Sequence, residues 1–155
     1  YRLGDVVVAA LMVASPFGDV VDPSTCRLLA GPRGEDGHGM LSTSELMKQG
    51  TFSPQVFPQN TVIGVVATSA SLSKEQCNKL AQMAQDGIAR AVRPAHTMVD
   101  GDVIFALATG SGQPVADVTA IGSVAAELVA QAIVRGVTAA QSLGGLPAVC
   151  EPEAA

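Results

Sequence analysis

Aromatic side chains are scarce in this chain of 155 residues: Trp is absent, and one Tyr and four Phe complete the set. A core built around large rings is therefore excluded. Charge is scarce too, at 15% of residues, and 9 Lys and Arg face 14 Asp and Glu. The resulting net charge of −5 repels a phosphate backbone and argues against nucleic-acid binding through a basic face. Cys26, Cys77 and Cys150 are odd in number, widely spaced and without a C-x-x-C pair. Neither a disulfide framework nor a zinc site is expected, and reduced thiols in a cytoplasmic protein are. Long apolar runs are missing as well. The longest, Val6 to Ala14, falls far short of the roughly 20 residues that cross a bilayer, and Ser15-Pro16 ends it, so no membrane partner is expected. His38 and His96 are the only histidines, which excludes a multi-histidine metal site. There is no G-x-x-x-x-G-K-[ST], no G-x-G-x-x-G after a strand, no G-x-S-x-G and no H-E-x-x-H. No cofactor and no metal are expected, and the chemistry should not depend on histidine.

What remains is apolar in an unusual way. Hydrophobic residues make up 48% of the chain, and 24 Ala and 20 Val supply most of them. Such a chain buries enough surface to fold, which excludes disorder. Small side chains let backbones approach closely and suit tightly packed layers of sheet and helix. The length fits one domain with a core of its own.

Val6 to Val13 is a β-branched and aliphatic run bounded by Gly4-Asp5 and Ser15-Pro16, which predicts a strand buried on both faces. Phe17 to Pro23 and Cys26 to Ala30 predict a hairpin turning at Asp22-Pro23-Ser24. Gly31 to Asn60 is rich in Gly and Pro, has only a weak helical signal at Thr43 to Lys48, and predicts a long mobile linker. Thr61 to Thr68 is a second β-rich run. Ser73-Lys74-Glu75-Gln76 spells a capping box that opens a helix with Cys77, Leu80, Ala81, Ala84, Ile88 and Ala91 on one stripe, ending before Pro94. A loop with His96, Asp100, Gly101 and Asp102 leads into a third strand, Val103 to Thr109, which Gly110-Ser111-Gly112-Gln113-Pro114 breaks. A second helix, about Thr119 to Val137, carries Ile121, Val124, Leu128, Ala132 and Ile133 on one face. The pattern predicts a layered α and β protein with its helices on one outer face.

The most informative place for chemistry is Asn60-Thr61, where the linker meets a hydrophobic strand whose first residue bears a hydroxyl. A threonine hydroxyl needs a base, and its own α-amino group, with a pKa near 8, suits neutral pH. That amine becomes free only if the Asn60–Thr61 bond is cut. The same hydroxyl can cut it, by attacking the preceding carbonyl to give an ester that water hydrolyses. A loop-to-strand boundary is the plain alternative for this dipeptide.

Three ordered blocks turn the reading toward catalysis: Asn60 to Thr68, Asp86-Gly87-Ile88-Ala89-Arg90-Ala91-Val92-Arg93-Pro94-Ala95-His96-Thr97, and Asp100 to Gly110. Together with Leu3-Gly4-Asp5-Val6 and Gly18 to Pro23, the chain resembles the self-processing β-aminopeptidase family, which includes nylon-oligomer hydrolases and a pantetheine hydrolase. The resemblance implies an α/β (α+β) layered αββα sandwich of which this chain supplies part. It implies a precursor cut into two subunits, with residues 1–60 as the C-terminal part of the α subunit and 61–155 as the β subunit. It further implies the remaining N-terminal part of the precursor as a partner, a homo-oligomer of αβ units, and an amide substrate, small or oligomeric. The Asn-Thr junction is similar to that of the nylon-oligomer and pantetheine hydrolases and tilts the substrate toward linear amides with an ω-amino or pantetheine-like chain.

Thr61 is then the nucleophile and Asn60-Thr61 the autocleavage site. Asp100 and Asp102 match the family's paired aspartates, which would orient and tune the α-ammonium. A tight Asp-Gly-Asp turn before a strand is the other reading of these two residues. His96 is expected to make a loop hydrogen bond, and Arg90 and Arg93 to complement the helix dipole. Two departures from the family matter. Ser15 stands where the family has an oxyanion-holding Asn, so a shorter donor would serve there. A site lysine of the family lies in the portion preceding this chain's match. Two alternatives stay open: an acyltransferase of the related arginine-biosynthesis type, and a non-catalytic, unprocessed homologue acting as a binding or assembly domain.

Overall fold

The computed structural model describes residues 1–34, 39–51, 60–111 and 117–149. A four-stranded sheet runs in the order β1 (Arg2–Leu3), β2 (Val6–Ser15), β5 (Thr61–Thr68), β7 (Val103–Ala108). A smaller sheet runs β4 (Leu28–Ala30), β3 (Asp19–Val21), β6 (Val92–Arg93). The described residues also hold three helices: α1 (Thr43–Lys48), α2 (Lys74–Ala91) and, after the last strand, α3 (Val118–Thr138). The architecture is thus mixed α and β. The expected hairpin is β3–β4. The helical signal in the linker is α1, the second β-rich run is β5, and the two longer helices lie within a residue or two of their expected ends. His38 and two parts of the expected linker, residues 35–38 and 52–59, along with Gly112 to Pro114 and Cys150, fall outside the described residues.

The strands form for the reason their composition suggests. β5, Thr-Val-Ile-Gly-Val-Val-Ala-Thr, is mostly β-branched, and it pairs antiparallel with β2 over its whole length, from Ser15↔Thr61 to Val8↔Thr68. β5 and β7 are parallel, with Ile63 opposite Val103, which requires the intervening α2 as a crossover. Gly64 allows Met12 to lie across its strand, since a Cβ there would stand 2.3 Å from the Met12 sulfur. At the other sheet, Gly18 permits a close approach to the Pro94 carbonyl, which a Cβ would meet at 2.1 Å.

α2 opens with both halves of its capping box: the Gln76 amide donates to Ser73 Oγ and the Ser73 amide donates to Gln76 Oε1. Its stripe buries Leu80, Ala84, Gly87, Ile88 and Ala91, while Cys77 and Ala81 are only half-buried. α3 is long and apolar enough to cross a bilayer by length and composition, yet it buries Ile121, Gly122, Ala125, Ala126, Val129, Ala130 and Ile133 against α2 and β2 as a core helix does. The two helices come close because Gly87 faces the Ala126 carbonyl, where a Cβ would fall at 2.3 Å.

Both long helices pack on one face of the large sheet, and the core of Val8, Val62, Val66, Leu80, Ile88, Ile121, Val129 and Ile133 lies between. This corrects the expectation that the first strand is buried on both faces. β2 alternates: Val6 and Val8 are buried, whereas Leu11 is 74% and Val13 67% exposed. Ile63 on β5 and Phe105 and Leu107 on β7 join them. The composition is that of a two-sided strand, but among the described residues only one side is covered.

Candidate active site

Strand alternation decides where the nucleophile candidate points. Val62, Gly64, Val66 and Thr68 are buried on the helix side of β5, which places Thr61, Ile63, Val65 and Ala67 on the open side. Thr61 therefore sits at one end of the uncovered apolar face. Ser15 is its register partner across β2–β5. Directly opposed residues have Cβ atoms roughly 4.5–5.5 Å apart, so the two hydroxyl-bearing side chains are neighbours on that face.

The Asn60 carbonyl oxygen accepts two hydrogen bonds. Thr61 Oγ1 donates to it at 2.6 Å, and the Gly101 amide donates at 2.9 Å. Since a carbonyl is about 1.23 Å long, the hydroxyl oxygen lies no more than roughly 3.8 Å from the carbonyl carbon. Two donors on one oxygen polarise that carbon and would hold negative charge developing on the oxygen. Gly101 is placed by a parallel bridge between Asn60 and Asp100, and the Asn60 amide also reaches the Val99 carbonyl at 3.4 Å. The approach is tight: a Cβ on Gly101 would stand 3.0 Å from Thr61 Oγ1.

The two aspartates flanking Gly101 do different work. Asp100 staples loops, accepting from the Phe17 amide at 3.1 Å through Oδ1 and from the Thr97 amide and hydroxyl through Oδ2. It thereby ties the loop before β7 to the turn that follows Ser15. Asp102 accepts from the Val62 amide at 2.9 Å through Oδ1, and its Oδ2 lies 2.8 Å from His96 Nδ1, an ion pair when the ring is protonated. The polar contact of His96, expected in the loop, is thus with one of the candidate site residues. Arg90 lies in the last turn of α2, and Arg93, in β6, reaches Cys26 Sγ at 3.6 Å. Beneath Asn60 is a cavity of about 320 Å³, bordered by Ala14, Phe17, Gly18 and Thr43, and Asn60 Nδ2 is buried with no partner among the described residues.

The fold thus brings Ser15, Asn60, Thr61, Asp100 and Asp102 to one end of the large sheet. The Gly101 amide and the His96–Asp102 contact are additions to the sequence reading. A glycine held between two aspartates is a signal for close backbone approach, but which atom it approaches depends on the pairing of Asn60 with Asp100.

A family model described as Peptidase family S58 matches residues 3–149, and the chain belongs to that family. An uncharacterized aminopeptidase of Mycobacterium tuberculosis is 39% identical over 165 residues, covering 92% of this chain and 46% of that protein. A 6-aminohexanoate-oligomer endohydrolase of Paenarthrobacter ureafaciens is 29% identical over 152 residues, covering 86% of this chain and 41% of the relative. The chain spans less than half the length of both. Among solved structures, a protein of Pyrococcus horikoshii aligns with 86% of this chain and 39% of its own, at a TM-score of 0.46 and 18% identity. The resemblance read from the three sequence blocks is therefore a family membership.

Proposed function

We propose that this chain is the nucleophile-bearing part of a self-cleaving N-terminal-threonine hydrolase of linear amides. The observation that carries the reading is the Thr61 hydroxyl held 2.6 Å from the carbonyl oxygen of the residue before it. In the first step Thr61 Oγ bonds to the Asn60 carbonyl carbon, the C–N bond to Thr61 breaks, and the hydroxyl proton ends on the released α-nitrogen. Water then splits the ester, leaving a carboxyl group on Asn60 and both a free hydroxyl and a free amine on Thr61. In turnover the same hydroxyl takes an acyl group from an amide substrate, the α-amine relays the proton to the leaving amine, and water releases the acid. The Gly101 amide, with Ser15 beside Thr61, is available to the oxyanion.

Residues 1–60 then belong to the α subunit and 61–155 to the β subunit. The uncovered sheet face supports the reading of a layered αββα sandwich completed by the rest of the precursor: Leu11, Val13, Ile63, Phe105 and Leu107 are too apolar a surface to stay in water. Thr61 at the end of that face would lie in the cleft between the layers. The relatives' names favour aminopeptidase or ω-amino-acid-oligomer substrates. Ser15 favours a second reading, an unprocessed homologue that binds or assembles without catalysis, because its hydroxyl reaches less far than an asparagine amide. Incubation with linear 6-aminohexanoate oligomers and with aminoacyl amides separates the readings. Hydrolysis without an added acceptor amine supports the hydrolase, turnover that requires the acceptor supports an acyltransferase, and a chain that stays unprocessed and turns over neither substrate supports the binding domain.

A further inference from the structure

We propose that His96 is a positioning residue of this site: its Nδ1–H holds the Asp102 carboxylate in place, and Asp102 in turn holds the start of β5 and with it Thr61. The inference rests on the self-processing reading for its kinetic consequence, but the contacts that motivate it are independent of that reading.

Asp102 is a carboxylate in need of partners. Its side chain is 3% exposed, and a carboxylate taken that far out of water is tolerated only when it is paired and hydrogen-bonded. Among the described residues no Lys or Arg pairs with it; His96 Nδ1 takes Oδ2 and the Val62 amide takes Oδ1. The Val62 contact replaces a missing rung of the sheet. Parallel pairing between β5 and β7 begins only at Ile63↔Val103, so the Val62 N–H, one residue ahead, finds a side chain where the ladder would offer a carbonyl. That amide directly follows Thr61, so a shift of the carboxylate moves the nucleophile.

His96 itself is built for this contact at a conformational cost. Its φ is +55°, in the left-handed region that few residues other than glycine enter, His being among the more frequent with Asn and Asp. What the position gains is a donor aimed at Asp102.

The backbone conformation supplies the test. Glycine at 96 adopts the positive φ without strain but has no donor, whereas asparagine tolerates the same φ and places an amide N–H where Nδ1 stands. With the protein expressed from its complete open reading frame, the rates of Asn60–Thr61 cleavage are compared for the wild type, His96→Gly and His96→Asn. In parallel, hydrogen exchange at the Val62 amide is measured in the Thr61→Ala background, where no cleavage intervenes. Misplacing a reacting group is costly, so His96→Gly is expected to slow cleavage by at least about tenfold and His96→Asn to recover most of that rate. Exchange at Val62 should quicken in His96→Gly and be restored in His96→Asn, with Val66 in mid-strand unchanged in both. Equal cleavage or equal Val62 exchange in wild type and His96→Gly overturns the proposal, and so does an asparagine variant as impaired as glycine. A wild type that stays whole refutes the self-processing reading instead, and the Val62 exchange pattern then decides the positioning role alone.

Discussion

The Gly101 amide and the Thr61 hydroxyl converge on one atom, the Asn60 carbonyl oxygen, at 2.9 and 2.6 Å. Two donors on the carbonyl before Thr61 polarise it, and the acyl shift proposed above would take place at its carbon. Gly101 is not among the residues at positive φ, so alanine can take its backbone conformation. The added Cβ, 3.0 Å from Thr61 Oγ1, would push the hydroxyl off its line to the carbonyl. Gly101→Ala is expected to slow cleavage by about a hundredfold with little change in Tm, since misplacement of the reacting group rather than loss of packing is the cause. Pulse-labelled synthesis followed by gel separation measures the rate, and cleavage at the wild-type rate would remove Gly101 from the account.

The uncovered face of the large sheet makes a second prediction. Leu11 and Phe105 are 74% and 57% exposed and stand in one row across β2, β5 and β7, with Val65 between them. If another layer covers them in the complete protein, Leu11→Glu buries an unpaired charge and costs about 3 kcal/mol or more, whereas a charge on a free surface changes stability by no more than about 0.5 kcal/mol. Urea unfolding of the complete protein distinguishes the two. A midpoint unchanged by the substitution would mean that this face stays open.

Asp19 anchors the linker segment. It is 2% exposed and accepts from the Thr43 amide, the Thr43 hydroxyl and the Ser42 hydroxyl, so one carboxylate of β3 fixes the first turn of α1. Asp19→Ala leaves the buried Thr43 donors unpaired and should cost about 3 kcal/mol, with Asp19→Asn less damaging because one acceptor oxygen survives. Denaturant midpoints of the two variants check the order. Midpoints of both variants equal to that of the wild type would show that the α1 tether contributes nothing to folding.

How much of this was legible in the sequence varies by residue. β5, α2 and α3 were, because β-branched runs and 3.6-residue stripes report burial directly, and Ser73 and Gln76 spell their cap. The exposed half of β2 was not: Val7, Leu11 and Val13 are apolar whatever covers them, and a pattern of side chains records which residues are buried only in the finished assembly. β6 was missed because Val92 and Arg93 follow a helix with no break in apolar pattern and pair with β3, far away in sequence. At the site, Thr61 and the two aspartates could be singled out, but not the division of labour between Asp100 and Asp102. That follows from which donors the fold carries to each, Phe17 and Thr97 to one, Val62 and His96 to the other.

The central claim is that Thr61 cuts its own chain. Intact-mass measurement on the purified wild-type protein and its Thr61→Ala variant tests it most directly. The account predicts a wild-type product ending at Asn60 and another beginning at Thr61, with the variant remaining whole. A wild type of undivided mass, or a Thr61→Ala variant cut at the same bond, would contradict it.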